Sequence, residues 1–100
     1  MKNTFWIYIL LCNNDHYYTG YTIDLDRRYQ EHLDGTAKCK YTRSFKPLCI
    51  AASWKVIGEK SIALKIESFI KKMPKKDKHE LVQNPNKFNM ILRELLDVTC

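Results

Sequence analysis

Apolar and polar positions divide this chain into segments with two different periods. Phe5-Trp6-Ile7-Tyr8-Ile9-Leu10-Leu11, continued by Cys12, is an unbroken apolar and aromatic stretch and predicts a buried strand. Asn13-Asn14-Asp15 supplies turn chemistry, and His16 to Thr22 predicts the antiparallel partner. Asp24 is placed to cap a helix whose apolar stripe runs Leu25, Tyr29, Leu33, and Gly35 ends it. Residues 36–47 form a basic loop closed by Pro47. Leu48 to Ile57 predict a third strand, broken by Gly58. From Ser61, the positions Ile62, Ile66, Phe69, Ile70 and Met73 trace an amphipathic helix, which Pro74 interrupts. A short helix follows through Val82. After the turn Asn84-Pro85-Asn86, the residues Phe88, Ile91, Leu92, Leu95 and Leu96 mark a last helix. The order ββαβααα, opening on a hairpin, predicts an α+β architecture: a small three-stranded antiparallel sheet flanked by helices.

A chain of 100 residues is one domain with one modest core. Its eight-residue apolar run is far short of the roughly 20 residues that span a bilayer. The start also lacks the pattern of a signal peptide, so a cytoplasmic protein without a membrane partner is expected. The four cysteines (Cys12, Cys39, Cys49, Cys100) have no metal-ligand spacing and fit reduced thiols. The net charge of +6 is unevenly placed. Seven lysines fall between Lys60 and Lys78 against Glu67 and Asp77, and Lys38, Lys40, Arg43 and Lys46 form a second basic stretch. Interleaved with Tyr41 and Phe45, such a stretch suits a polyanion, although it also suits a solvated face.

Two positions are poorly explained by packing. Arg28 and His32 follow Leu25 by three and seven residues, beside the apolar stripe. An arginine there reaches either solvent or an anion. Glu67 is the one carboxylate among lysines 60, 65, 71, 72, 75 and 76. It is either a solvated partner of Lys71 at i,i+4 or a group with a separate task. Tyr8, Tyr17, Tyr18 and Tyr21 add phenols to the first two strands, with Tyr8 on the face of Trp6 and Leu10.

Trp6-Ile7-Tyr8, with Tyr18-Thr19-Gly20 ten residues after Tyr8, resembles the paired tripeptides of the GIY-YIG nuclease family. Leu25 to His32 resembles that family's first helix, and Ala63 to Lys71 its metal-binding helix. Gly35 and Lys40-Tyr41-Thr42-Arg43-Ser44 through Pro47 resemble the compact stand-alone bacterial members, related to the N-terminal domain of excinuclease C. The resemblance covers about residues 4–82 and divides the chain into a nuclease domain, 1–82, and a C-terminal helical extension, 83–100, packed on it. Trp6 departs from the first motif's glycine and Thr19 from the second motif's aliphatic residue.

The resemblance implies a metal-dependent DNA endonuclease, with DNA repair or recombination as its setting. By that alignment the catalytic residues are Tyr8, Tyr18, Arg28, His32 and Glu67. Glu67 would hold one Mg2+ or Mn2+ ion, and Arg28 would meet the scissile phosphate. Tyr8 or His32 would serve as base. Because a free phenol has a pKa of about 10, Arg28 and the metal are expected to lower that of Tyr8. DNA would be held by Lys38, Lys40, Arg43, Lys46, Lys71 and Lys72. A module that binds nucleic acid without cutting it is the alternative. The apolar last helix either caps the core or docks another protein.

Overall fold

The computed structural model describes residues 3–36 and 39–96. Lys38 and the side chains of Lys40 and Leu96 lie outside this description. Three strands, β1 (Asn3–Cys12), β2 (Tyr17–Thr22) and β3 (Pro47–Gly58), form one antiparallel sheet in the order β2-β1-β3. The central place of β1 accounts for its uninterrupted apolar sequence. Both of its faces are covered, so no position is left for the polar alternation of a half-exposed strand.

Five helices cover the sheet: α1 (Leu25–Asp34), α2 (Lys40–Ser44), α3 (Lys60–Lys71), α4 (Lys75–Gln83) and α5 (Phe88–Leu96). Phe5, Ile7 and Ile9 of β1 point to one face, where they pack with Val56, Ala63, Ile66, Ile70, Leu81, Phe88 and Ile91. That face carries α3, α4 and α5. Tyr8, Leu10 and Cys12 point to the other face, against Leu25 and Tyr29 of α1, Tyr41 of α2 and Ile50. The outcome for the last helix is core packing, since Phe88 and Ile91 are both buried. Trp54 stacks on Phe88 with ring centroids 4.6 Å apart, and its indole N–H donates to Pro85 O at 3.0 Å. No described helix is long and apolar enough to cross a membrane.

Two features differ from the sequence expectation. The stretch read as a basic loop contains the five-residue helix α2, and Pro47 opens β3 instead of closing the loop. In addition, β3 is irregular. Ile9 pairs with Ala52 but Leu10 pairs with Ile50, so Ala51 is an extra residue on β3. A bulge of this kind reverses the face that later side chains meet. Ile50 thereby joins Tyr8, while Trp54 and Val56 pack on the α3 side. Trp6 lies in ordinary strand backbone, paired with Thr22 and Lys55. The described non-glycine residue with a left-handed backbone is Asp15 in the β1–β2 turn, at φ 63°. The lost glycine of the first motif is therefore not needed for conformation here.

Candidate active site

The site is built on α1, and the start of that helix is fixed locally. The backbone of Asp24 is extended, and its carboxylate accepts the Arg27 N–H at 3.1 Å. Thr22 Oγ1 accepts the Asp24 N–H, also at 3.1 Å. From this cap, Arg28 and His32 fall one turn apart on the same side of the helix. Gly35 ends α1 in a left-handed conformation, φ 67°, with its N–H turned back to the last carbonyls of the helix.

The side of α1 turned to the sheet carries two polar groups among apolar ones. His32 is completely buried, whereas Leu25, Tyr29 and Leu33 of the expected stripe are only partly covered. The ring of His32 is held at both nitrogens. Its Nε2 lies 2.8 Å from the Tyr8 hydroxyl, and its Nδ1 lies 2.8 Å from Thr42 Oγ1. Tyr18 packs against the same ring, centroid to centroid 5.1 Å, and stacks on Tyr41 at 5.6 Å. Tyr41 in turn accepts a hydrogen bond from Asn14 at 3.0 Å. The Arg28 guanidinium pairs with Glu31 at 3.0 Å, and its charge acts on the Tyr8 phenol. Its side chain is 21% exposed, so it reaches from the buried phenol to the surface.

Gly20 lets Tyr8 occupy this place. The two residues are paired across β1 and β2, and the phenol lies over the glycine. A Cβ at position 20 would sit 2.5 Å from the Tyr8 hydroxyl oxygen and 2.6 Å from Cζ. The second motif's glycine is required by close approach.

Burial dominates the acid–base behaviour of the cluster. It pushes the Tyr8 phenol well above the ordinary range; the Arg28 guanidinium opposes this without overcoming it, and Tyr18 adds to the rise. The lowering expected of Arg28 is present, but without a metal ion burial outweighs it. Burial, aided by the Arg28 charge, lowers His32 to about 4, so the imidazole is neutral at pH 7. For Arg28, burial works against the charge, but Glu31 and Tyr8 hold the guanidinium above its usual value.

Tyr8, Tyr18, Arg28 and His32 are thus brought together. Glu67 is carried by α3, whose buried residues Ala63, Ile66 and Ile70 pack on the face of Phe5, Ile7 and Ile9. Its side chain is 16% exposed and lies 3.4 Å from Lys71, so the expected i,i+4 pair is present. Among the described residues, no group of three or more His, Cys, Asp or Glu converges to hold a metal. A lone, part-buried carboxylate still fits an ion that keeps mostly water and phosphate ligands. Of the expected DNA contacts, Arg43, Lys46, Lys71 and Lys72 are exposed, with Lys46 Nζ donating to Leu33 O at 3.2 Å.

Two contributors had no role assigned from the sequence, Thr42 and Tyr41. Thr42 is fully buried although it lies between two basic residues. The one trace of this is its spacing from Cys39, a small apolar residue a helical turn earlier that is also buried.

A sheet that sets a buried tyrosine against an arginine and a histidine from one helix is the arrangement expected of a GIY-YIG protein. Residues 4–80 match the family model of the GIY-YIG catalytic domain, and the chain belongs to this family, a superfamily of nucleases. It is 37% identical to a UPF0213 protein of Syntrophus aciditrophicus over 83 residues, 82% of this chain and 94% of that one. It is 38% identical to a UPF0213 protein of Listeria welshimeri over 76 residues, 76% and 82% of the two chains. The solution NMR structure of a UPF0213 protein from Bacillus halodurans superposes with a TM-score of 0.50 at 36% identity, covering 80% of this chain and 83% of that one.

Proposed function

We propose that the protein is a metal-dependent endonuclease that hydrolyses phosphodiester bonds in DNA, with repair or recombination as its setting. The observation that carries this reading is the Tyr8–His32–Arg28 cluster. It joins a proton donor, a neutral proton acceptor and a fixed cation that reaches the surface.

In this reading, water attacks phosphorus as its proton passes to the Tyr8 oxygen. The phenol proton passes at the same time to His32 Nε2, 2.8 Å away. Because Tyr8 stays protonated at neutral pH, it acts by handing on a proton and not as a standing phenolate. Arg28 offsets charge on the pentacoordinate phosphate, a contribution of about 3 kcal/mol for one well-placed donor. Tyr18 packs on the His32 ring and keeps it upright against the phenol. Glu67 would hold one Mg2+ or Mn2+ ion, which when bound supplies Lewis-acid stabilisation of the departing oxygen. Arg43, Lys46, Lys71 and Lys72 would track the backbone of the duplex, as would Lys38 and Lys40.

The test is single-turnover cleavage of plasmid DNA in Mg2+, Mn2+ or EDTA. Arg28→Ala lowers the rate by about 100-fold or more, while Arg27→Ala, on the exposed side of α1, changes it little. Equal losses for both arginines would refute the role of Arg28. No cleavage by the wild-type protein with either metal would leave a nucleic-acid-binding module.

A further inference from the structure

The hydrogen bonds around His32 form a chain whose two ends favour one direction. At one end stands the Arg28 guanidinium, a cation with donors and no acceptor, whose charge acts on the Tyr8 phenol. At the other end stands the backbone carbonyl of Cys39, which can only accept. Thr42 Oγ1 donates to that carbonyl at 3.2 Å. Between the ends lie Tyr8, His32 and Thr42, linked at 2.8 Å and 2.8 Å and each fully or almost fully buried.

Thr42 has a single hydroxyl proton. With that proton directed to Cys39 O, its oxygen receives a hydrogen from the imidazole, so Nδ1 carries the ring proton. A neutral imidazole protonated at Nδ1 has a bare Nε2. The bare nitrogen faces the Tyr8 hydroxyl, which therefore donates. The Arg28 charge favours the same answer: it draws the phenol oxygen's lone pairs toward the guanidinium, and the phenol proton has His32 Nε2, 2.8 Å away, as its acceptor.

We infer that Thr42 is a positioning residue, which fixes the Nδ1–H tautomer of His32 and so makes Nε2 the acceptor of the Tyr8 proton. Its effect on rate rests on the nuclease reading above, whereas its effect on the tautomer does not. Thr42 touches neither water nor phosphate in this scheme. It acts through the ring. The five-residue helix α2 thereby has a definite task, since it brings this hydroxyl to the far side of the imidazole.

The tautomer is read directly from the 15N shifts of the His32 ring at pH 7, in metal-free protein. The wild-type protein shows a protonated Nδ1 and an unprotonated Nε2; a protonated Nε2 would overturn the inference by itself. Thr42→Val keeps the shape of the side chain and removes its oxygen. In that variant the ring shifts toward the Nε2–H form, and single-turnover cleavage falls by at least about 10-fold. Thr42→Ser restores the wild-type pattern and most of the rate. An unchanged tautomer in folded Thr42→Val, or no rescue by serine, would also overturn it. If the wild-type protein cuts no DNA and the shifts are as stated, the nuclease reading fails while the role of Thr42 in setting the tautomer stands.

Discussion

Gly20→Ala adds a single methyl group at the point where the tyrosine and the sheet come closest. The new Cβ would lie 2.5 Å from the Tyr8 hydroxyl oxygen and 2.6 Å from Cζ. Ordinary carbon contacts begin at about 3.5 Å, so the phenol must retreat by about 1 Å. It has little room to do so, because Tyr8 is 1% exposed and its hydroxyl is held by His32. Retreat stretches the 2.8 Å bond to His32 out of hydrogen-bonding range. Overpacking contributes about 1–3 kcal/mol of destabilisation, and a buried hydroxyl deprived of its partner about 1–3 kcal/mol more. A total near 3 kcal/mol is expected, a large part of the roughly 5–15 kcal/mol that holds a domain folded. Misplacing a reacting group by about 1 Å also lowers cleavage by about 100-fold. Urea unfolding and single-turnover cleavage read the two effects separately. The control is the double variant: in a Tyr8→Ala background the three atoms nearest the methyl group are gone, so the cost of Gly20→Ala falls sharply. Equal losses in both backgrounds would show that the phenol does not lie over Gly20.

Three further outcomes follow from named contacts. Thr19, opposite Ile9 on the α3 side of β2, buries a hydroxyl with no hydrogen-bond partner among the described residues; Thr19→Val raises stability by about 1 kcal/mol in urea unfolding, and a loss would mean that the hydroxyl is paired. His32 has a folded pKa of about 4, below the value near 6.5 of an unfolded histidine. The unfolded chain therefore takes up a proton first as pH falls, so stability is full above about pH 6.5 and declines toward pH 4, by up to about 3 kcal/mol. A pH series of unfolding curves shows this slope in the wild type, and His32→Gln flattens it. Glu67→Gln removes Mg2+-dependent cleavage, with a rate loss of about 100-fold or more. It leaves the melting temperature nearly unchanged, because a partly solvated pair with Lys71 contributes at most about 1 kcal/mol; wild-type turnover would remove Glu67 from the site.

The residues themselves singled out part of the cluster, and the family resemblance supplied the rest. Arg28 and His32 stood out because helical periodicity places two polar groups beside an apolar stripe, and α1 turns both toward the sheet. The strand β1 was legible because a central strand covered on both faces has no polar alternation. Other features depend on contacts between segments distant in the chain. A five-residue helix has almost no stability of its own, and α2 is held by the Tyr18–Tyr41 stack and the Asn14 hydrogen bond. The bulge at Ala51 is hidden because positions 50, 52, 54 and 56 read as one face until the register with β1 is known. The acidity of Tyr8 also escaped the sequence. The neighbouring arginine can be read from spacing, but the depth of burial that outweighs it cannot.

The match to the family model ends at residue 80, but the core does not. Phe88 and Ile91 are buried in the same cluster as Phe5, Ile7 and Ile66, and Phe88 is one side of the Trp54 stack. Together these two side chains bury apolar surface worth about 4 kcal/mol, close to the whole margin of a small domain. The shortest fragment that carries every residue of the proposed site is therefore expected to be shorter than the shortest fragment that folds. A piece cut at the family boundary would keep Tyr8, Arg28, His32 and Glu67 in its sequence and lose the packing that holds α3 against the sheet.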